Sequence, residues 1–335
     1  MTTHLFRWGL AGLALLLASG LHARTPNPIA GERIFNAAGG CGCHTAENGK
    51  PLSGGRPLKT PFGIYFSTNI TPDPDTGIGG WSDADLLRAM REGIAPDGSH
   101  YFPVFPYTSF SKMTAEDVLH LKDYLFTLPA VQQSNRPHDV WFPFNLRFSA
   151  WGWKLVNFHP EPLLADVTRS KQWTRGRYLA EAVAHCGECH TPRNGMGALK
   201  ADWHYAGSRE GPEGEVAPNI TPDAETGIGQ WSKDDLTYLL ETGMLPDGDF
   251  IGGLMGEAVE YYGQLPPEDR DAIAEYVLSL PPVQNHVRDP DDLNEWASVP
   301  TEPAFCADSL NLSRTSAIFG AFAERETLCG PMSFL

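Results

Sequence analysis

The 335-residue sequence predicts an all-α protein of two tandem domains with long loops. Three observations lead there. One long motif occurs twice, a capped amphipathic segment follows each copy, and no run of alternating apolar and polar residues marks a strand. The motif is Asn69-Ile-Thr-Pro-Asp-Pro-Asp-Thr-Gly-Ile-Gly-Gly-Trp81, which returns as Asn219-Ile-Thr-Pro-Asp-Ala-Glu-Thr-Gly-Ile-Gly-Gln-Trp231 at an offset of 150. Gly93-Ile-Ala-Pro-Asp-Gly98 matches Gly243-Met-Leu-Pro-Asp-Gly248 at the same offset, and Leu128-Pro-Ala-Val-Gln132 matches Leu280-Pro-Pro-Val-Gln284 at 152.

The helices follow in order within each copy. Gly31–Gly40 and Gly176–His185 are expected as short leading helices. Ser82 with Asp85, and Ser232 with Asp235, form capping boxes with Asp in the Glu position. They open helices Asp83–Glu92 and Lys233–Thr242, which Gly93 and Gly243 stop. Thr114 caps another helix, with Val118, Leu121, Tyr124 and Leu125 on one face. Its counterpart is Pro267–Leu280, and Pro129 and Pro281 close the two. These elements divide the chain into a first domain (24–135), an aromatic linker (136–171) and a second domain (172–287). The linker, with Trp141, Phe142, Phe144, Phe148, Trp151 and Trp153, is expected as a packed strap, with a partner-binding patch as the rival reading. Residues 288–335 form a tail, in which Cys306 and Cys329 suggest a disulfide in an exported chain.

Export is expected from residues 1–23. Arg7 precedes an apolar run from Trp8 to Ala18, and Leu21-His22-Ala23 ends in a small-residue cleavage site, the pattern of a signal peptide. The run is short for a membrane span, so the mature chain is expected in the periplasm without a transmembrane segment. The formal net charge is −16. Such acidity excludes nucleic acid as an expected partner.

The chemistry lies in Cys186-Gly-Glu-Cys189-His190. C-x-x-C-H is the attachment signature of c-type haem. Two thiols must reach two vinyl groups on one porphyrin edge, and the next residue must offer an imidazole to iron. Positions i and i+3 share a helix face. A zinc site needs a fourth ligand, and a redox dithiol needs a βαβ context that is not visible here. The first copy, Gly40-Cys41-Gly42-Cys43-His44, is one residue short. Residues i and i+2 lie about 200° apart around a helix. Three outcomes stay open: unwinding at Gly39, Gly40 and Gly42 that lets both thiols attach; a single thioether at Cys43 with His44 on iron and Cys41 free; or no haem in this half. Two haems c are expected.

Methionine opposite histidine suits electron transfer. Met255, in the loop Ile251-Gly-Gly-Leu-Met-Gly256, is favoured over Met244 in the second half. Met113 is favoured over Met90 in the first, with His100 as an alternative. For each, the competing reading is a gap-filling core methionine. Asn69, Thr71 and Trp81, with Asn219, Thr221 and Trp231, divide evenly between haem contacts and local turn or core roles.

The order C-x-x-C-H, N-I-T-P-D-x-x-T-G-I-G-x-W-S, P-Y-T-S loop and terminal helix resembles the cytochrome c subunits of bacterial alcohol, gluconate and fructose dehydrogenases. The resemblance covers about 29–287 and extends to shorter di-haem cytochromes. It implies two class I cytochrome c folds. It also implies a periplasmic dehydrogenase or other redox protein as electron donor, and a quinone, cytochrome or oxidase as acceptor. Those subunits usually carry a third haem and a C-terminal anchor, neither of which is expected here. They usually have Met before the P-Y-T-S loop, where this chain has Phe105. The leading expectation is an electron carrier or electron-transfer subunit. The alternatives are a peroxidase-like or thiosulfate-oxidising di-haem enzyme with one open iron position, and a one-haem sensor or binding module.

Overall fold

Glycine sets the closest helix contact in each half. The computed structural model describes residues 24–287; the expected signal peptide and the tail with Cys306 and Cys329 lie outside the described residues. Helix α1 (Pro28–Ala37) packs on α4 (Ala115–Leu125), and α6 (Lys171–Tyr178) packs on α10 (Pro267–Val277). A Cβ at Gly31 would stand 1.9 Å from the carbonyl oxygen of His120, and one at Gly176 would stand 1.8 Å from that of Ala272. Only glycine lets these backbones approach so closely. The two pairs are repeat-related.

Both capping boxes form. In α2 (Asp83–Glu92) the Ser82 hydroxyl accepts from Asp85 N at 3.1 Å, and the Asp85 carboxylate accepts from Ser82 N at 3.0 Å. The equivalent distances before α8 (Lys233–Thr242) are 3.1 and 2.8 Å. Gly93 and Gly243 end these helices at φ 62° and 78°, the left-handed cap that glycine adopts without steric cost. The P-Y-T-S segment folds as a short helix, α3 (Tyr107–Phe110). Its counterpart is the longer α9 (Gly253–Tyr262).

The expected helix Gly176–His185 is broken. Regular α6 ends at Tyr178, a π turn runs from Leu179 to Val183, and His185 is left-handed at φ 44°. The buried turn carries Glu181. Its carboxylate accepts from Lys112 Nζ at 3.0 Å, Tyr276 Oη at 2.6 Å and His204 Nε2 at 2.7 Å. Long-range polar contacts of this kind are invisible to a periodicity argument.

The fold is mostly helical, as expected, with one short sheet beside the helices. A three-stranded antiparallel sheet is present, in the order β1 (Pro57–Thr60), β2 (Gly63–Phe66) and β3 (Asp139–Val140). Its strands are too short to show alternation, and β3 lies in the linker. Pairing of Gly63 with Val140 fastens the linker to the first half. Farther along, the linker forms α5 (Arg147–Asn157). Ala150 and Lys154 face inward. Lys154 Nζ donates to the carbonyls of Glu92 and Gly93 at 2.5 and 2.6 Å, capping α2; burial pulls its pKa down to about 8. Trp153 donates from Nε1 to Met196 O at 2.8 Å, tying the strap to the second half. The opposite side of α5, with Phe148, Trp151 and Leu155, is exposed. The linker is therefore a strap on one side and an open apolar surface on the other.

The two halves pack within one compact unit. Arg56 pairs with Glu213 and Glu257 of the second half, each at 2.6 Å. Tyr178 Oη accepts from Thr114 N at 3.2 Å and donates to Asp117. Among the described residues, no helix is long and apolar enough to cross a membrane.

Two outcomes follow for stability. Gly176→Ala should cost about 1–3 kcal/mol through overpacking. Gly152→Ala, in α5 where a Cβ meets nothing within 4 Å, should be neutral or stabilising by up to about 1 kcal/mol. Paired thermal melts read both, and equal melting temperatures would refute the close-contact argument. For Glu181, desolvation raises the carboxyl pKa, but donation from His204 and Lys112 outweighs it and holds the group well below the usual range. Its contribution to stability should therefore be complete above about pH 5 and fall as the pH drops below the unfolded-state value near 4.3. Glu181→Gln should be less stable at neutral pH and show a flatter acid limb in denaturant midpoints.

Candidate functional site

The second cysteine pair sits on one turn of helix. Cys186 has helical backbone angles and precedes α7 (Gly187–His190), where His190 N bonds Cys186 O at 3.0 Å. Three-residue spacing places Cys186 and Cys189 on one face. Neither is in a disulfide. Burial pushes both thiols up to about 12, so they are protonated at neutral pH. Among the described residues, no three His, Cys, Asp or Glu side chains gather into a metal-ligand cluster.

His190 is buried, and its Nδ1 lies 2.8 Å from the carbonyl oxygen of Pro218. A carbonyl only accepts, so Nδ1 carries the proton and Nε2 keeps the free lone pair. This is the second-ring-nitrogen bond that orients a metal-binding imidazole. Burial also holds the imidazole pKa below its ordinary value, favouring the neutral ligand form.

The first motif has the same imidazole arrangement on a different backbone. His44 Nδ1 lies 2.7 Å from Thr68 O, and burial lowers its pKa too. The cysteines lie in a tight turn, Gly39–His44, in which Gly39, Gly40 and Cys41 are left-handed at φ 66°, 67° and 53°. The second copy has a single left-handed residue before its motif, His185. The chain therefore does unwind at the shortened motif. The glycines make this cheap, while Cys41 carries strain of roughly 1–3 kcal/mol. Tyr261 of α9 covers the turn so closely that a Cβ on Gly40 would meet its ring at 2.2 Å. Cys41 is half-buried and Cys43 exposed.

Thr68 and Pro218 immediately precede the repeated Asn69 and Asn219, and that adjacency explains the repeat. Asn219 Nδ2 donates to Thr226 Oγ1 at 2.9 Å and Val283 O at 2.7 Å, while Oδ1 accepts from Thr221 N and Oγ1 at 2.9 and 2.7 Å. Asn69 makes the matching bonds to Thr76, Val131 and Thr71 at 3.1, 2.7 and 2.7 Å. Both amides are saturated by protein, which decides for the turn reading. Each staples its loop to the segment after the terminal helix and so holds the carbonyl that orients the histidine. Trp81 and Trp231 are half-buried against the core. The carbonyls of Thr68 and Pro218 were missed in the sequence because a backbone acceptor has no residue-type signature; their place beside a repeated Asn was the available signal.

The methionines fall in different settings. Met255 lies in the first turn of α9, half-buried against the core, and not in the expected loop. The glycines that suggested a flexible loop fall around the helix start, with Gly253 left-handed at φ 57°. Met113 is 2% exposed, between α3 and α4, in the core cluster with Val118 and Leu121. Met90 is buried on α2. Met244 sits in a turn bridged to Phe250. His100 is engaged by Lys154, its Nδ1 3.1 Å from Nζ.

Two thiols on one helix face, followed by a neutral imidazole of fixed tautomer, are the donor set a covalently attached haem requires. The comparisons agree with that set. The cytochrome c family pattern matches residues 174–281. The chain is 43% identical to a diheme cytochrome c-type protein of Cereibacter sphaeroides, across 82% of this chain and 98% of that protein. It is 38% identical to the fructose dehydrogenase cytochrome subunit of Gluconobacter japonicus and 37% identical to the gluconate 2-dehydrogenase cytochrome c subunit of Pantoea cypripedii. Those alignments cover 77% and 75% of this chain but only 54% and 58% of the two subunits.

Replacing Asn219 with Ala removes both donors and the acceptor that hold its loop. The expected cost is about 2–3 kcal/mol, from lost bonds and the unsatisfied groups left behind. Chemical denaturation measures it, and a change within about 0.5 kcal/mol would contradict the staple.

Proposed function

This chain belongs to the cytochrome c family of haem electron-transfer proteins, and we propose that it is a periplasmic carrier with two covalently bound haems c. The observation that carries the two-haem reading is the equivalence of His44 and His190: each donates from Nδ1 to a backbone carbonyl and is left with Nε2 for a metal, His190 buried and His44 half-buried. In the second half, Cys186 and Cys189 would take the thioether links, and His190 and Met255 would supply nitrogen and sulfur to the iron. In the first half, Cys43 and the strained Cys41 would be the attachment positions, and His44 and Met113 would supply nitrogen and sulfur to the iron. Bound haem c supplies reversible one-electron chemistry. The protein's part is to hold each imidazole neutral and aimed, and to surround it with packed side chains that keep water away.

The donor is proposed to be a dehydrogenase, because the named relatives include cytochrome subunits of such enzymes. The acceptor is proposed to be a quinone, another cytochrome or an oxidase. Export is supported by the signal-like residues 1–23 and by the need to attach haem c outside the cytoplasm.

Intact mass of the protein produced with c-haem attachment machinery tests the reading. Two added haems are expected. One would remove the first half from the electron path, and none would overturn the proposal. Reduction by a sugar or alcohol dehydrogenase, without peroxide turnover, is the expected activity. Met255→Leu should keep the haem count and abolish the sulfur-to-iron charge-transfer band of one ferric haem.

A further inference from the structure

The two attachment motifs differ in charge as well as length. Between Cys186 and Cys189 stands Glu188, 7% exposed. Between Cys41 and Cys43 there is only Gly42. Glu188 is gripped largely from the other half of the molecule. Its Oε1 accepts from Thr108 Oγ1 at 2.7 Å and from Ser109 Oγ at 2.9 Å, both on α3 of the first half. Its Oε2 accepts from Arg193 at 2.6 Å. The next residue of α3, Phe110, packs its ring 5.2 Å from that of His185, just before the motif. At the first motif no carboxylate stands between the cysteines, and the nearby Arg56 is paired with both Glu213 and Glu257. Arg56 Nη1 lies 3.4 Å from Gly42 O and 2.6 Å from Glu257.

A fixed negative charge stabilises the more positive, oxidised state of a neighbouring metal, and burial reduces the screening of that charge. Arg193, at 34% side-chain exposure, is the better-screened member of its pair. We propose that Glu188 is a positioning residue that holds the potential of the second haem down, and that Thr108 and Ser109 control this from the first half. The inference rests on the two-haem reading above. Its consequence is that α3, a segment of one half, takes part in setting the redox behaviour of the other.

The test uses the full chain with haem attached, and a potentiometric titration that resolves both haems. The second-half signal is the one missing from Cys186→Ala/Cys189→Ala protein. Glu188→Gln removes the charge and leaves Arg193 uncompensated, so the second potential should rise while the first stays in place. Thr108→Val with Ser109→Ala keeps the charge and removes two of its donors, so the second potential should fall. A purely structural clasp would lower the melting temperature in both variants without opposite redox shifts. Unmoved potentials, or shifts of the same sign, would overturn the inference. Haem count by mass is read first on each protein. Absence of haem from Cys186 and Cys189 in the unaltered chain would overturn the carrier reading itself, whereas a full count with unmoved potentials would overturn only the role of Glu188.

Discussion

The hydrogen bond from each motif histidine to a backbone carbonyl organises much of this architecture. It needs a carbonyl held at one place, and a loop cannot hold one without support. In both halves the support is the same. Thr68 and Pro218 are each followed by an asparagine whose amide is saturated by its own loop and by the strand of chain after the terminal helix. The terminal helix is placed in turn by its packing on the leading helix, at a contact that Gly31 or Gly176 makes close. The chain leaves the leading helix toward the motif, directly after α1 and through the π turn after α6. Each half therefore closes a ring of dependence from helix contact to loop to imidazole and back to the helix.

Within that ring the two halves differ at their cysteine motifs. The second follows a π turn with one left-handed residue, and its two cysteines then share a face of α7. The first reaches its histidine through three consecutive left-handed residues and covers the turn with Tyr261 from the opposite half. Cross-half contacts fall at both motifs: α9 lies over the first, and α3 grips the second. Neither motif has its full surroundings within its own copy of the repeat. That is why the two halves among the described residues fall in one compact unit although the sequence repeats.

The linker belongs to the same logic. Strand β3 and the inner side of α5 pack on the first half, with Lys154 capping α2, and Trp153 reaches the second half. The outer side keeps large apolar residues in contact with solvent.

Much of this was determined by the sequence alone. Local rules suffice for α2, α8 and their capping boxes, because a serine, an aspartate three residues on and a terminal glycine act within one or two turns. The repeat marked two copies of one motif, and the cysteine spacing pointed to the family that the comparisons show. What only the tertiary structure decided depends on partners distant in the chain. It set the short sheet, whose strands are too brief for alternation to show. It broke α6 into a π turn where Glu181 meets Lys112, Tyr276 and His204. It put Met255 on a helix, where glycine-rich sequence suggested a loop. It assigned Asn69 and Asn219 to stapling, since the carbonyls they bond lie more than sixty residues away. Periodicity and spacing report on neighbours along the chain, whereas burial, carbonyl direction and charge pairing are settled only when the two halves close on one another.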